Sequence, residues 1–189
     1  LVDPEGRVAA STQVPTQAAA GPAPAVPRIV AAVGDRVRQA ALPAGSLAVV
    51  GIASAGIIDF EPALVLDAPN LRGWERYPLA SAVGGALGLD FLLENDVNAM
   101  AYGEWRCGAG RGTRHLLCLT LGTGVGGGLV LDGALYHGAC GAAGEVGHIT
   151  VQRDGPPCPC GSTGCLERYV GAGPIVERAR QFLRQEARP

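Results

Sequence analysis

Apolar and polar positions alternate along the chain in two distinct rhythms. Val26, Ile29, Val30, Val33 and Val37 recur at helical spacing and predict an amphipathic helix over about residues 25–41, closed by Pro43-Ala44-Gly45. Before it, Leu1–Asp3 and Arg7–Val14 read as the arms of a hairpin around Pro4-Glu5-Gly6. A Pro/Ala-rich loop covers residues 15–25. Leu47–Ile52 is a short apolar run between turn residues, the mark of a buried strand. The sequence GIASAGIIDFE then reads as a loop and a return, and APNLRGWERYPL as irregular chain. Ser81–Leu89 predicts a short helix, Phe91–Leu93 a second buried strand and Val97–Cys107 another helix. Gly108–Arg114, GAGRGTR, breaks the pattern and marks the expected division into residues 1–112 and 113–189. Beyond it, strands are expected at Leu116–Leu121, Gly128–Leu131, Ala134–His137 and about Glu145–Val151, and a helix from about Leu166. GGLVLDGALYHG weakly echoes LVDPEGRVAAS, which suggests two similar lobes.

Composition narrows the class. With 189 residues, 48% hydrophobic and 17% charged, the chain can bury a sizeable core. A net charge of −2 gives no bulk attraction to a polyanion. All 15 basic residues are arginine, so lysine chemistry is excluded. No apolar run is long enough for a transmembrane helix, so no membrane partner is expected. Six cysteines include three scattered ones, Cys107, Cys118 and Cys140, which fits a reducing cytoplasm better than a disulfide framework.

Three stretches carry chemistry. His148, Cys158, Cys160 and Cys165 match a closed tetrahedral zinc site in residue type and number. Gly161 and Gly164 supply the tight turn between the last two cysteines. Disulfides and a chance cluster of thiols are the alternatives. Gly122-Thr123-Gly124-Val125-Gly126-Gly127 fits GxGxxG, but a strand follows it instead of a helix, against a dinucleotide fold. A glycine loop between strands can still cradle phosphate on its N–H groups, with Thr123 adding a hydroxyl. Asn95-Asp96 ends a strand and opens a helix, a favoured place for a catalytic carboxylate and equally for a helix cap. Glu145, three residues before His148, and Glu167 offer acceptor-only carboxylates for hydroxyl-rich ligands; solvated surface positions are the alternative.

Taken in order, APNLRGW, ENDVNAMAYGEW, LTLGTGVGGGLVLDG, AGEVGHI and CPCGSTGCLE resemble the ROK family (repressor, open reading frame, kinase), and within it the bacterial glucokinases. The resemblance implies an α/β, actin-like ATPase (ribonuclease H-like) fold of two lobes around a sugar cleft. It implies ATP-dependent phosphorylation of a hexose, with glucose expected first and N-acetylmannosamine, fructose or allose as alternatives. Carried over by position, it implies that Asp96 is the general base for the sugar 6-hydroxyl. Asn70, Asn95, Glu145, His148 and Glu167 would bind sugar hydroxyls, with Asp96 beside them. Gly122, Thr123 and Gly124 would form the second phosphate loop for ATP, with Mg²⁺ accompanying the nucleotide. His148, Cys158, Cys160 and Cys165 would hold structural zinc.

Some of the family pattern is missing. Its first phosphate loop would precede Leu1, and the rest of its large lobe would follow Pro189. Its Pro-Gly after the first buried strand is Ala55-Gly56 here. The chain is therefore expected to be a piece of a longer sugar kinase, unstable or inactive alone. Family members are often dimers or tetramers, so a homo-oligomer is expected. The second reading is a sugar-sensing repressor, which would carry a DNA-binding domain before Leu1; otherwise no nucleic acid partner is expected.

Overall fold

The structure is a computed structural model that describes residues 1–43, 45–68, 71 and 73–186. Asn70 lies outside the described residues.

The valine stripe forms α1 (Ala25–Gln39), whose Val26 and Ile29 pack against the first core. Next come β1 (Val49–Ser54), the hairpin β2 (Ile57–Asp59) and β3 (Leu64–Asp67), α2 (Leu79–Leu87) and β4 (Asp90–Asn95). β1 and β4 pair in parallel, with Val49 opposite Asp90 and Ser54 opposite Asn95. The crossover between them contains α2, which Gly88 closes in the left-handed region at φ 67°. Gly84 of α2 lies so near β4 that a β-carbon there would stand 2.6 Å from the Phe91 ring. Ile58, Val65, Trp74, Leu79, Val83 and Leu93 make the centre of this core. Val65 and Val83 are 0% and 1% exposed, and each such burial contributes about 1.5–3 kcal/mol.

α3 (Asp96–Arg106) follows β4 without a loop and packs on a second sheet. That sheet is antiparallel, in the order β5 (Leu116–Leu121), β6 (Val125–Leu131) and β7 (Ala134–Leu135). Glycines on β6 allow the close approach. A β-carbon on Gly126 would lie 2.6 Å from Val97 Cγ2, and one on Gly128 2.5 Å from Ala101 Cβ. On β5, Leu117, Leu119 and Leu121 point outward and are 51%, 49% and 71% exposed. The chain ends in α4 (Glu167–Val170) and α5 (Ala172–Glu186), whose Ile175, Val176, Phe182 and Leu183 are exposed.

Four expectations need correction. The opening hairpin has its turn, with Gly6 at φ 84° donating to Asp3 O, but only a single bridge, Val2 to Val8. Val2 and Val8 are exposed, so no packed layer extends the pairing. GIASAGIIDFE holds the end of β1, all of β2 and the turn toward β3. Glu145–Val151 is no strand: Val146–His148 is a 3-10 turn. Gly147 lies against β6, where its β-carbon would meet Val125 O at 2.1 Å, which leaves no room for a pleated strand. The final helix is broken at Gly171, which is wedged against the carbonyls of Glu167 and Thr123.

The α3–β6 contact yields a paired expectation for the full-length protein. Gly128→Ala should lose about 1–3 kcal/mol through overpacking. Gly103→Ala, on α3 with nothing within 4 Å of the added carbon, should gain about 0.5–1 kcal/mol from helix propensity. Urea denaturation of the two variants beside wild type measures both signs.

Candidate active site

Asn95 closes β4 in extended geometry (φ −66°, ψ 146°) and caps α3. Its Oδ1 accepts from the N–H groups of Val97 (2.9 Å) and Asn98 (3.1 Å), and its Nδ2 donates to Gly56 O at 3.0 Å. The amide thus ties the start of the helix to the turn after β1. The cap is Asn95, which frees Asp96 from that work. Asp96 is the first helical residue; its Oδ1 accepts only from Val97 N–H at 3.0 Å, and Oδ2 has no partner among the described residues.

The glycine loop joins β5 to β6 and is fastened from two sides. Val125 N–H donates to Glu167 Oε2 at 3.0 Å, and Gly126 N–H to Thr120 Oγ1 at 3.2 Å. Ala172 N–H, at the start of α5, donates to Gly122 O at 2.9 Å. Gly124 sits under Glu167, where a β-carbon would stand 2.3 Å from Oε2. The N–H groups of Thr123 and Gly124 have no partner among the described residues.

The cysteine loop brings its four side chains together. The ligand atoms of His148, Cys158, Cys160 and Cys165 all lie within 4.8 Å of one another. Cys160 Sγ and Cys165 Sγ are 3.7 Å apart, and Cys158 Sγ is 3.6 Å from His148 Nδ1. Sulfurs about 2.3 Å from one tetrahedral ion would stand about 3.8 Å apart, so the donor set fits a four-coordinate metal. None of the six cysteines is in a disulfide. Ser162 N–H and then Cys158 bring the Cys160 thiol down to about 7. Burial, and then Cys158 and Cys160, push the Cys165 thiol up to about 11. Gly164, at φ 64°, passes so close to Gln152 O that a β-carbon would lie 1.6 Å from it. His148 Nε2 faces the other way, 3.8 Å from Glu145 Oε2.

Asn95, Asp96, Gly122, Thr123, Gly124, Glu145 and Glu167 line one cleft of about 510 Å³. These residues stood out in the sequence for three separate reasons, and the fold gathers them on one surface. Val97, Met100 and Thr120 line it too, without any sequence signal that marks them. His148 stands behind Glu145 and outside the lining.

Comparison with known proteins gives this arrangement a family. The ROK family model matches residues 1–188. The chain belongs to the ROK family. It is 39% identical over 182 residues to the glucokinase of Streptomyces coelicolor, covering 96% of this chain and 55% of that protein. It is 38% identical over 136 residues to the xylose repressor of Caldicellulosiruptor bescii, covering 72% of this chain and 34% of that one. Among solved structures it resembles the ROK glucokinase of Streptomyces griseus in complex with glucose and AMPPNP. That match has a TM-score of 0.78 at 41% identity, over 95% of this chain and 55% of the other. This ROK chain therefore has an actin-like ATPase fold and spans about half the length of the glucokinases it matches.

The cap geometry sets a measurable stability. Asn95→Ala in the full-length protein should cost about 1–2 kcal/mol through the lost cap, and Asn95→Asp should also be destabilised, because it keeps the cap but turns a carboxylate oxygen toward Gly56 O in place of the amide donor. Chemical denaturation of both variants compares the losses.

Proposed function

We propose that this chain is part of an ATP-dependent hexose kinase, with glucose as substrate and Asp96 as general base. The observation that carries the reading is the convergence of Asp96, Glu145 and Glu167 with the open N–H groups of Thr123 and Gly124 on one cleft. Residues 1–112 are read as the small lobe and 113–189 as part of the large lobe.

In this reading the sugar lies against Glu145 and Glu167, whose carboxylates accept from its hydroxyls, with His148 Nε2 behind them. Asn70 belongs to the same group by resemblance. Asn95 offers little more than its position, since its amide is already engaged. The free Oδ2 of Asp96 takes the proton of the 6-hydroxyl as that oxygen attacks the γ-phosphorus. The bond from phosphorus to the bridging oxygen breaks, and ADP leaves with the electron pair. Phosphoryl transfer of this kind needs positioning and charge stabilisation more than covalent help, and a placed base contributes about 10²–10⁴-fold. Thr123 and Gly124 supply N–H donors to phosphate oxygens, and Thr123 a hydroxyl. Mg²⁺ would enter with the nucleotide and neutralise charge on its phosphates.

The four-ligand cluster is read as structural zinc on His148, Cys158, Cys160 and Cys165. A closed four-coordinate site leaves no position for water, so its role is to brace the wall that carries Glu145 and Glu167. The free thiols suit a reducing cytoplasm, and no helix among the described residues is long and apolar enough to cross a membrane. A second reading, a sugar-responsive repressor, draws on the 38% identity to a xylose repressor. Two features favour the kinase: a carboxylate free to act as base and a glycine loop with unspent donors.

ADP release by the full-length protein over a panel of hexoses tests the activity. Asp96→Asn should lower kcat by about 10²–10⁴-fold, and full activity in that variant would show that the base lies elsewhere. Elemental analysis should find about one zinc per chain, falling to near zero in Cys158→Ser. Freshly purified, folded wild-type protein without zinc overturns the metal assignment.

A further inference from the structure

Glu94 and His137 form a side-chain hydrogen bond that no part of the kinase reading uses. His137 Nε2 lies 2.8 Å from Glu94 Oε2, with the side chains 32% and 23% exposed. Every other contact between an acidic and a basic side chain among the described residues has a partner that is more than half exposed. The two groups join segments far apart in sequence. Glu94 is the penultimate residue of β4, and its Oε1 accepts from Asn95 N–H at 2.9 Å and from Asn98 Nδ2 at 3.1 Å. The same carboxylate that holds His137 is therefore built into the start of α3, one turn from Asp96. The His137 ring rests on Phe60, just past β2, with centroids 4.3 Å apart. Its carbonyl accepts from Ala143 N–H at 3.0 Å and closes the loop that leads to Glu145. A β-carbon on Gly141 in that loop would stand 3.2 Å from both Ile58 O and the Phe60 ring.

We propose that His137 is a positioning residue for sugar binding, latching the loop that carries Glu145 to the strand end that carries Asp96. The proposal rests on the kinase reading of the cleft. Glu145 is reached from this loop, and its carboxylate is otherwise loosely held: it is 54% exposed and 3.8 Å from His148. Asp96 has its own support through the Asn95 cap. Loss of the latch therefore displaces the sugar-binding wall and leaves the base in place. A displacement of about 1 Å can cost up to about 100-fold in such sites.

The test uses full-length protein and three variants, His137→Ala, His137→Phe and His137→Gln. Phenylalanine keeps the packing on Phe60 and removes the pairing, so it carries the test if the alanine variant does not fold. Glutamine keeps an N–H in reach of Glu94. His137→Ala and His137→Phe should raise the sugar KM by about 10-fold or more, with kcat within about 3-fold and the ATP KM unchanged. His137→Gln should restore most of the sugar affinity. A sugar KM unchanged in His137→Phe, or ATP and sugar KM rising together, overturns the proposal. So does a glutamine variant no better than phenylalanine. Calorimetric titration with the sugar reads the same shift without turnover. Wild-type protein that binds sugar and does not phosphorylate it overturns the kinase reading and leaves the latch measurable. Wild-type protein that binds no hexose overturns both.

Discussion

The close approach of α3 to β6 is the contact on which the cleft depends. Val97 and Ala101 lie where the β-carbons of Gly126 and Gly128 would be. A helix at that distance brings its first turn beside the loop that opens β6. Asp96 and Thr123 thus share a surface because three side chains are reduced to hydrogen or methyl. The parallel pair β1–β4 provides the other half of the arrangement, since it delivers the chain to the helix start at a sheet's carboxyl edge, where ligands of α/β folds collect.

Backbone groups, more than side-chain packing, hold the cleft walls. Glu167 accepts from Val125 N–H, Ala172 donates to Gly122 O, and Asn95 bonds two helix N–H groups and Gly56 O. Buried amides left without partners are costly, so a wall whose amides are assigned one by one has few alternative positions. Leu117 and Leu119 on β5 and the apolar residues of α5 are exposed outside the cleft lining, whereas Leu121 belongs to it.

Composition made most of the cleft legible. Asp96, Thr123, Glu145 and the cysteine cluster each sit in a stretch whose residue types are unusual for a plain core, and β1, α2, β4, α3 and β5 follow from simple periodicity. Distance was hidden. Gly126 and Gly127 fall in the GxGxxG stretch and Gly128 opens an expected strand, yet Gly126 and Gly128 make room for α3 and Gly127 makes room for Gly144. The alternation over Glu145–Val151 suits a strand, but Gly144 and Gly147 press against β6 too closely for a pleat. His137 and Glu94 are separated by 43 residues, and no local pattern pairs them.

Gly164 bears on how the cysteine loop would meet an ion. Its contact with Gln152, together with the bridges Thr150–Cys165 and Pro157–Thr163, closes the loop through the chain's own backbone. In a zinc finger most of the ordering waits for the metal, and the binding free energy goes into folding. Here the backbone bridges and the Gly164 contact share the ordering of the loop with whatever ion it holds, so removal of that ion would bear on this loop before the sheet and helix packing beneath it.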